Sequence, residues 1–302
     1  MKKREGTSLF IYVFFILIFF IWIALLFEPI IQSQPYNQTA IINVTVNITN
    51  SAPIITSISL ETPITLIGYD TKMVYCNATA FDFDNNTVIA NATFYYQGYS
   101  PDTPDDQNYH YTNVSCRQTG RYNTETNFTC GFNVSFFANN GTWYCNITVI
   151  DDFGAFSSNI SNPGLIQPLI AIYVPGILDF GNLNQGENTS DKLVNITNAG
   201  NRNINISVEG WAQYPGDNLA MNCTFGNIPI QYERYNISAN SDFINMYQLT
   251  STTTMIRNFF IRQRTDENLD SVNTTYWKLY APIGAGGVCT GKILFTATDR
   301  GI

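Results

Sequence analysis

The chain has 302 residues, 45% hydrophobic and 14% aromatic, with only 13% charged and a formal net charge of −8. No basic run follows Lys2, Lys3 and Arg4, so the electrostatic footprint of a nucleic-acid partner is missing and that class is excluded. Tyr and Phe in this abundance favour sheets over helices, and solubility rests on Asn, Thr and Ser.

Residues 9–27, LFIYVFFILIFFIWIALLF, run about nineteen positions without a charge, and as a helix rising about 1.5 Å per residue they match a hydrocarbon core of about 30 Å. This predicts a single transmembrane helix. Lys2, Lys3 and Arg4 precede it and Glu28 follows, so the positive-inside rule places residues 1–8 in the cytoplasm and everything after 27 outside the cell. The flank FEPIIQSQPY offers no clear small-x-small cleavage site, which favours a retained signal anchor over a removed signal peptide.

Residues 28–50 read as a linker with one strand. In IINVTVNITN, residues 41–50, Ile42, Val44, Val46 and Ile48 alternate with Asn and Thr, the period of a half-buried strand. Its aliphatic face needs a partner. The expectation is addition to the edge of the chain's own first domain, with donation to a neighbouring copy as the alternative.

Asn43 and Asn47 in this strand fit N-x-[ST], the acceptor pattern for glycans. About eighteen asparagines fit it where about six would by chance, all beyond the apolar helix. Asn77, Asn91, Asn133, Asn146, Asn195, Asn205 and Asn236 are further candidate glycosylation sites.

About 270 residues remain after the anchor, a prior for two domains. The stretch SSNISNPGLIQP, residues 157–168, interrupts the strand pattern and divides a first domain, 51–162, from a second, 168–302. The six cysteines fall as four (Cys76, Cys116, Cys130, Cys145) and two (Cys223, Cys289). Even numbers in an exported chain make disulfides the default, although four cysteines alone permit three pairings.

KMVYCNATAFD and GTWYCNITVID resemble strands B and F of an immunoglobulin-like sandwich. Asn139, Gly141, Trp143 and Cys145 follow that family's D-x-G-x-Y-x-C pattern, with Asn for Asp and Trp for the corner Tyr, while the strand C candidate NATFYYQ has no core Trp. The resemblance implies a Cys76–Cys145 bond between the sheets and a Cys116–Cys130 bond across CRQTGRYNTETNFTC. Loops of about seventy and fourteen residues would then remove unfolded-chain entropy worth on the order of 4 and 3 kcal/mol.

In the second half, Leu178, Phe180, Gly181, Leu183 and Gly186, then Val194, Ile196, Asn198 and Gly200, resemble the opening of immunoglobulin-like sandwiches related to the abnormal-spindle type. Gly181 and Gly186 bracket a predicted turn between strands, and NAGNRN offers positive-φ positions for a hairpin. GKILFTATD is the predicted last strand, with Cys223–Cys289 tying the middle of the sandwich to its start. The predicted fold class is therefore all-β, two immunoglobulin-like β-sandwiches preceded by a single N-terminal transmembrane helix. Phrases such as YCNATA, FFANNGTWYCNITVID and MNCTFGNI are similar to those of archaeal membrane-anchored cell-surface glycoproteins with tandem sandwiches, a resemblance that implies address and architecture.

Chemistry is sparsely supplied. His110, the sole histidine, stands between two tyrosines on a predicted strand edge with no G-x-S-x-G nearby, and no enzymatic activity is expected. Asp82, Asp84 and Asn86 alternate in FDFDNN and Asp151 and Asp152 leave the F strand, a candidate calcium site from two loops, with solvated turns as the plainer explanation. PIGAGGV lacks the following Lys-Ser/Thr of a phosphate loop and reads as a turn. Phe94, Tyr95, Tyr96, Tyr99, Tyr109 and Tyr111 could stack on sugars.

The leading expectation is a noncatalytic membrane-anchored glycoprotein of envelope structure, adhesion or recognition, with the membrane and surface glycans or envelope proteins as partners. One alternative is a carbohydrate-binding module. Another is a homo-oligomer built by strand addition, or a filament subunit, because KKREGTSLFIYVFF resembles archaeal type IV pilins processed after a glycine, here Gly6, although Glu at the fifth position after it is missing.

Overall fold

The computed structural model describes residues 6–26, 40–47 and 49–301, with side chains over 12–23, 40–47 and 49–301. Met1–Ile48 and Thr49–Ile302 are separate units. In the first, an uncharged helix α1 spans Gly6–Leu26, 21 residues or about 32 Å. Among the described residues no helix is long and apolar enough to cross a membrane. The anchor expected over residues 9–27 thus falls on helical backbone.

The strand expected over residues 41–49 does not form. Residues 40–47 carry no regular structure, and Ile41, Ile42, Val44 and Val46 are 81 to 90% exposed. Position 48 lies outside the described residues. Alternation specifies which side chains share a face, but a strand exists only when its N–H and C=O groups meet a partner.

The second unit begins with a sandwich of nine strands: β1 (Ile54–Leu60), β2 (Thr71–Phe81), β3 (Val88–Tyr96), β4 (His110–Asn113), β5 (Arg117–Tyr122), β6 (Glu125–Ser135), β7 (Gly141–Asp151), β8 (Phe156–Ile160) and β9 (Gly164–Ile166). One sheet is ordered β1-β2-β6-β5 and the facing one β4-β3-β7-β8, with β9 also on β7. The 11-residue strands β2 and β6 pair without a slip from Thr71↔Ser135 to Phe81↔Glu125. Strict alternation makes this register self-enforcing, since a one-residue shift would turn Val74, Cys76, Ala78 and Ala80 out of the core. Cys76–Cys145 joins the sheets at mid-strand, and Cys116–Cys130 closes the β5–β6 hairpin. Trp143 is fully buried, its ring 4.6 Å from Phe94 and its Nε1 donating to the Asn139 carbonyl at 2.8 Å. It therefore does the work of a corner tyrosine while filling the core left without a tryptophan on β3.

The predicted break at residues 157–168 is itself structured, because β8 and β9 lie within it. Ile166 is buried in the first core and bridges Ile64, so the first sandwich runs four residues past the expected end at 162, and only residues 167–171 connect it to the second.

That second sandwich holds β10 (Ile172–Tyr173), β11 (Lys192–Asn198), β12 (Ile204–Trp211), β13 (Leu219–Phe225), β14 (Asn227–Pro229), β15 (Glu233–Asn236), β16 (Tyr247–Gln248), β17 (Thr254–Ile261), β18 (Val272–Leu279), β19 (Gly286–Thr290) and β20 (Lys292–Asp299). The sheets are β10-β11-β18-β15-β16, β17-β12-β20 and a small β14-β13-β19, where Cys223 and Cys289 pair directly across β13 and β19 and are disulfide-bonded. The last strand falls where expected. Residues 174–187 form no strand, although Gly181 and Gly186 do adopt positive φ in that stretch.

NAGNRN is not a hairpin. It carries the chain from β11 to β12, which belong to different sheets, and Gly200 is not at positive φ. Glycine is required there for space instead, since a Cβ would lie 2.2 Å from the Leu169 carbonyl oxygen. Asn198 fixes the crossover by donating to the carbonyls of Arg202 at 2.7 Å and Arg262 at 2.9 Å while accepting from Gly200 N.

The same segment joins the two sandwiches. Fully buried Asn201 donates to the carbonyls of Ala138 at 3.1 Å and Gln167 at 3.2 Å and accepts from Leu169 N at 2.6 Å. Gln263 donates to the Phe137 carbonyl and Asn139 Oδ1, Asn108 donates to the carbonyls of Phe137 and Arg264, and the Arg264 guanidinium lies 4.6 Å from the Phe137 ring centroid. Removing such an amide strands buried partners, at about 1–3 kcal/mol. Asn201→Ala is therefore expected to lower the melting temperature of both sandwiches and to split a single calorimetric transition into two. Two transitions already in the wild type would show that the junction does not couple them.

Candidate functional site

Strands β2 and β7, in facing sheets, finish at the same end of the sandwich, and the turns beyond them gather the polar residues singled out by sequence. Asp82 is buried, and its Oδ1 accepts from the backbone of Asp84 at 2.9 Å and Asn86 at 3.2 Å, the local bonding of an Asx turn. Asp151, also buried, accepts from the backbone of Phe153 and Ala155, both at 2.9 Å. What links the turns is Asn50, a residue sequence reasoning passed over. Its Nδ2 donates to Asp151 Oδ2 at 2.8 Å and its Oδ1 accepts from Asn86 Nδ2 at 2.5 Å. Ser51 donates through N and Oγ to Asp84 Oδ2, each at 2.6 Å.

Four of the five candidate calcium ligands thus converge. Asp152 stays exposed and makes no side-chain hydrogen bond among the described residues. The converging oxygens are mostly occupied by N–H and O–H donors; only Asp82 Oδ2 is buried without a partner. Among the described residues no group of three His, Cys, Asp or Glu side chains is placed to hold a metal, whereas calcium takes about six to eight oxygens. The geometry is that of two turns tethering the chain where it enters the sandwich. Burial pushes the Asp151 carboxyl up, but the Asn50 amide and the backbone N–H groups of Ala155, Phe153 and Gly154 together bring it below the ordinary carboxylate range.

The remaining candidates have structural roles. His110 is buried on edge strand β4, with Nδ1 2.8 Å from Asp105 Oδ1 and Nε2 3.1 Å from the Pro101 carbonyl, so neither ring nitrogen is open to a substrate. The aromatic set divides. Phe94 and Tyr95 are buried, Tyr111 is turned inward with its hydroxyl pushed up by burial, and Tyr99 and Tyr109 stack on each other at 4.1 Å. This stacking covers one face of each of the two rings, and Tyr99 remains exposed. PIGAGGV is a turn, Ala285 N donating to the Pro282 carbonyl, that leads into β19.

Asparagines separate cleanly by environment. The buried ones are Asn108, Asn198 and Asn201, and none of them fits N-x-[ST]. All nine candidate acceptors, Asn43, Asn47, Asn77, Asn91, Asn133, Asn146, Asn195, Asn205 and Asn236, are exposed or half-buried.

The sequence matches no protein-family model and no curated protein. Among solved structures, the chain is similar to a chaperone–tip adhesion subunit pre-assembly complex from archaic chaperone-usher pili of Acinetobacter baumannii, at 10% identity and a TM-score of 0.38 over 80% of this chain and 99% of that one. It is also similar to a tip adhesin of Pseudomonas aeruginosa, at 9% and 0.26 over 83% and 94%. A third is the C-terminal domain of an AgI/II polypeptide of Streptococcus agalactiae, at 8% and 0.22 over 80% and 92%.

Asn50→Ala should lower the melting temperature at pH 7, and the difference from wild type should shrink in acid as the pH falls through the depressed titration of Asp151, where the carboxyl gives up the charge that strengthens the bond. The sign follows from a carboxyl whose folded pKa is depressed: its stabilisation is present at neutral pH and lost in acid. A difference unchanged down to pH 2 would detach Asn50 from Asp151. Millimolar calcium is expected to leave the wild-type melting temperature unmoved, whereas a rise of several degrees that Asp82→Asn abolishes would establish a metal site.

Proposed function

We propose that this chain is a noncatalytic surface glycoprotein in envelope structure, adhesion or recognition, with α1 as a retained single-pass signal anchor and the two sandwiches outside the cell. One observation carries the reading: all six cysteines are paired and none is free, an economy suited to an oxidising exterior. Exposure of the candidate acceptors and the uncharged 21-residue helix are consistent with it. The membrane is its first partner, and surface glycans or envelope proteins are the others.

A second reading, assembly by strand donation, is favoured by residues 40–47, which keep exposed, alternating aliphatic side chains and no strand partner. In such an assembly the segment would supply main-chain bonds and register to a sheet edge of another copy.

Protease shaving of intact cells should remove the sandwiches and leave a short fragment containing α1; a fully protected chain would overturn the surface reading. N-terminal sequencing of the mature protein should give the unprocessed start, whereas a chain beginning at Thr7 would favour the filament. Deleting residues 41–47 should leave the melting temperature of the purified chain within about 1 °C, since these side chains are exposed and in no strand. Loss of higher-order assembly on that deletion would support donation.

A further inference from the structure

Strand β15 opens with Glu233, paired with Leu279 of β18 and facing inward at 2% exposure. Its carboxyl makes no hydrogen bond among the described residues, and burial alone pushes it up to about 8. It lines a cavity of about 570 Å³ between residues 174–178 and the start of β20, walled by Leu178, Trp211, Met221 and Phe295. The one other charged side chain lining it, Lys292, is exposed. Strand β20 pairs only with β12, so the sandwich stays open beside the cavity.

A carboxyl in such a place is costly unless a cation or a donor meets it, and an apolar residue of similar size would avoid that cost. Nothing among the described residues supplies the partner. The volume is in the usual range for a small-molecule site, which pairs apolar walls with a few placed polar groups. Indole and phenyl faces also attract cations. We infer that this cavity binds a small organic ammonium ligand, its charged nitrogen on the Glu233 carboxylate and its apolar body against Trp211 and Phe295. Binding would draw Glu233 into its ionised form and release a proton below the carboxyl's own pKa, so affinity rises with pH. The site does not depend on the surface reading.

The test uses the purified full chain, with phenethylammonium as probe and 2-phenylethanol as its uncharged counterpart, followed by calorimetry at pH 6 and pH 8. Saturable 1:1 binding is expected, tighter for the ammonium than for the alcohol by about tenfold or more, and strengthening by about tenfold or more from pH 6 to pH 8. Glu233→Gln should remove both the preference and the pH dependence. If that variant fails to fold, the ammonium-to-alcohol ratio and its pH dependence in the wild type decide. Equal binding of the two probes, a pH-independent affinity, or no saturable binding of phenethylammonium would overturn the inference.

Discussion

Asn201 is the interaction on which the arrangement of residues 49–301 depends. Three backbone groups from two segments of the first sandwich and its connection converge on one amide that no solvent reaches. The Ala138 carbonyl, whose bond to Asn201 is buried, would otherwise lose this partner. The crossover that presents Asn201 needs Gly200 against Leu169 and Asn198 against the Arg202 and Arg262 carbonyls. One short sequence, NAGNRN, thus turns the chain between the sheets of one sandwich and closes the seam to the other. Two separate apolar cores result, yet the contacts unite them in a single compact unit.

The wider chemistry follows from how little charge the chain carries. Amides make most of the inner polar contacts, Asn108, Asn198, Asn201 and Gln263 inside and Asn50 at the end of β2 and β7, beside ion pairs such as Arg202–Asp299 and Arg264–Asp270. An amide offers donors and an acceptor together and loses less on dehydration than an ion does. Against that background Glu233 is the exception, an ionisable group put among apolar side chains without an answering donor.

Much of the first sandwich is legible because alternation and the VYC- and WYC-type strands, which carry the resemblance to an immunoglobulin-like sandwich, point to the same register. The last strand was legible for the same reason. What sequence could not supply was pairing. IINVTVN alternates as well as β2 does, yet it lies exposed, since periodicity says nothing of whether a neighbouring edge is free. Ser157 to Pro168 looked like a linker by its Asn, Pro and Gly content and nevertheless contributes β8 and β9. The candidate site is half legible: Asp82, Asp84, Asn86 and Asp151 do lie at one end of the sandwich, but as turn anchors joined through Asn50, whose neighbours in sequence give no hint of it. Among the described residues the asparagines differ in one readable respect, since none of the buried ones sits in N-x-[ST].

Tension applied to this protein would meet an unusual geometry. Strands β2 and β7 run about 35 Å from the seam near Phe137 to the turns held by Asn50, and Cys76–Cys145 ties them near their midpoints. A pull from the N-terminal side would run along these strands, so their ladders must shear together instead of opening rung by rung. Extension past the midpoint would stop at a covalent bond, leaving the stretch between the two cysteines folded or at least closed as a loop.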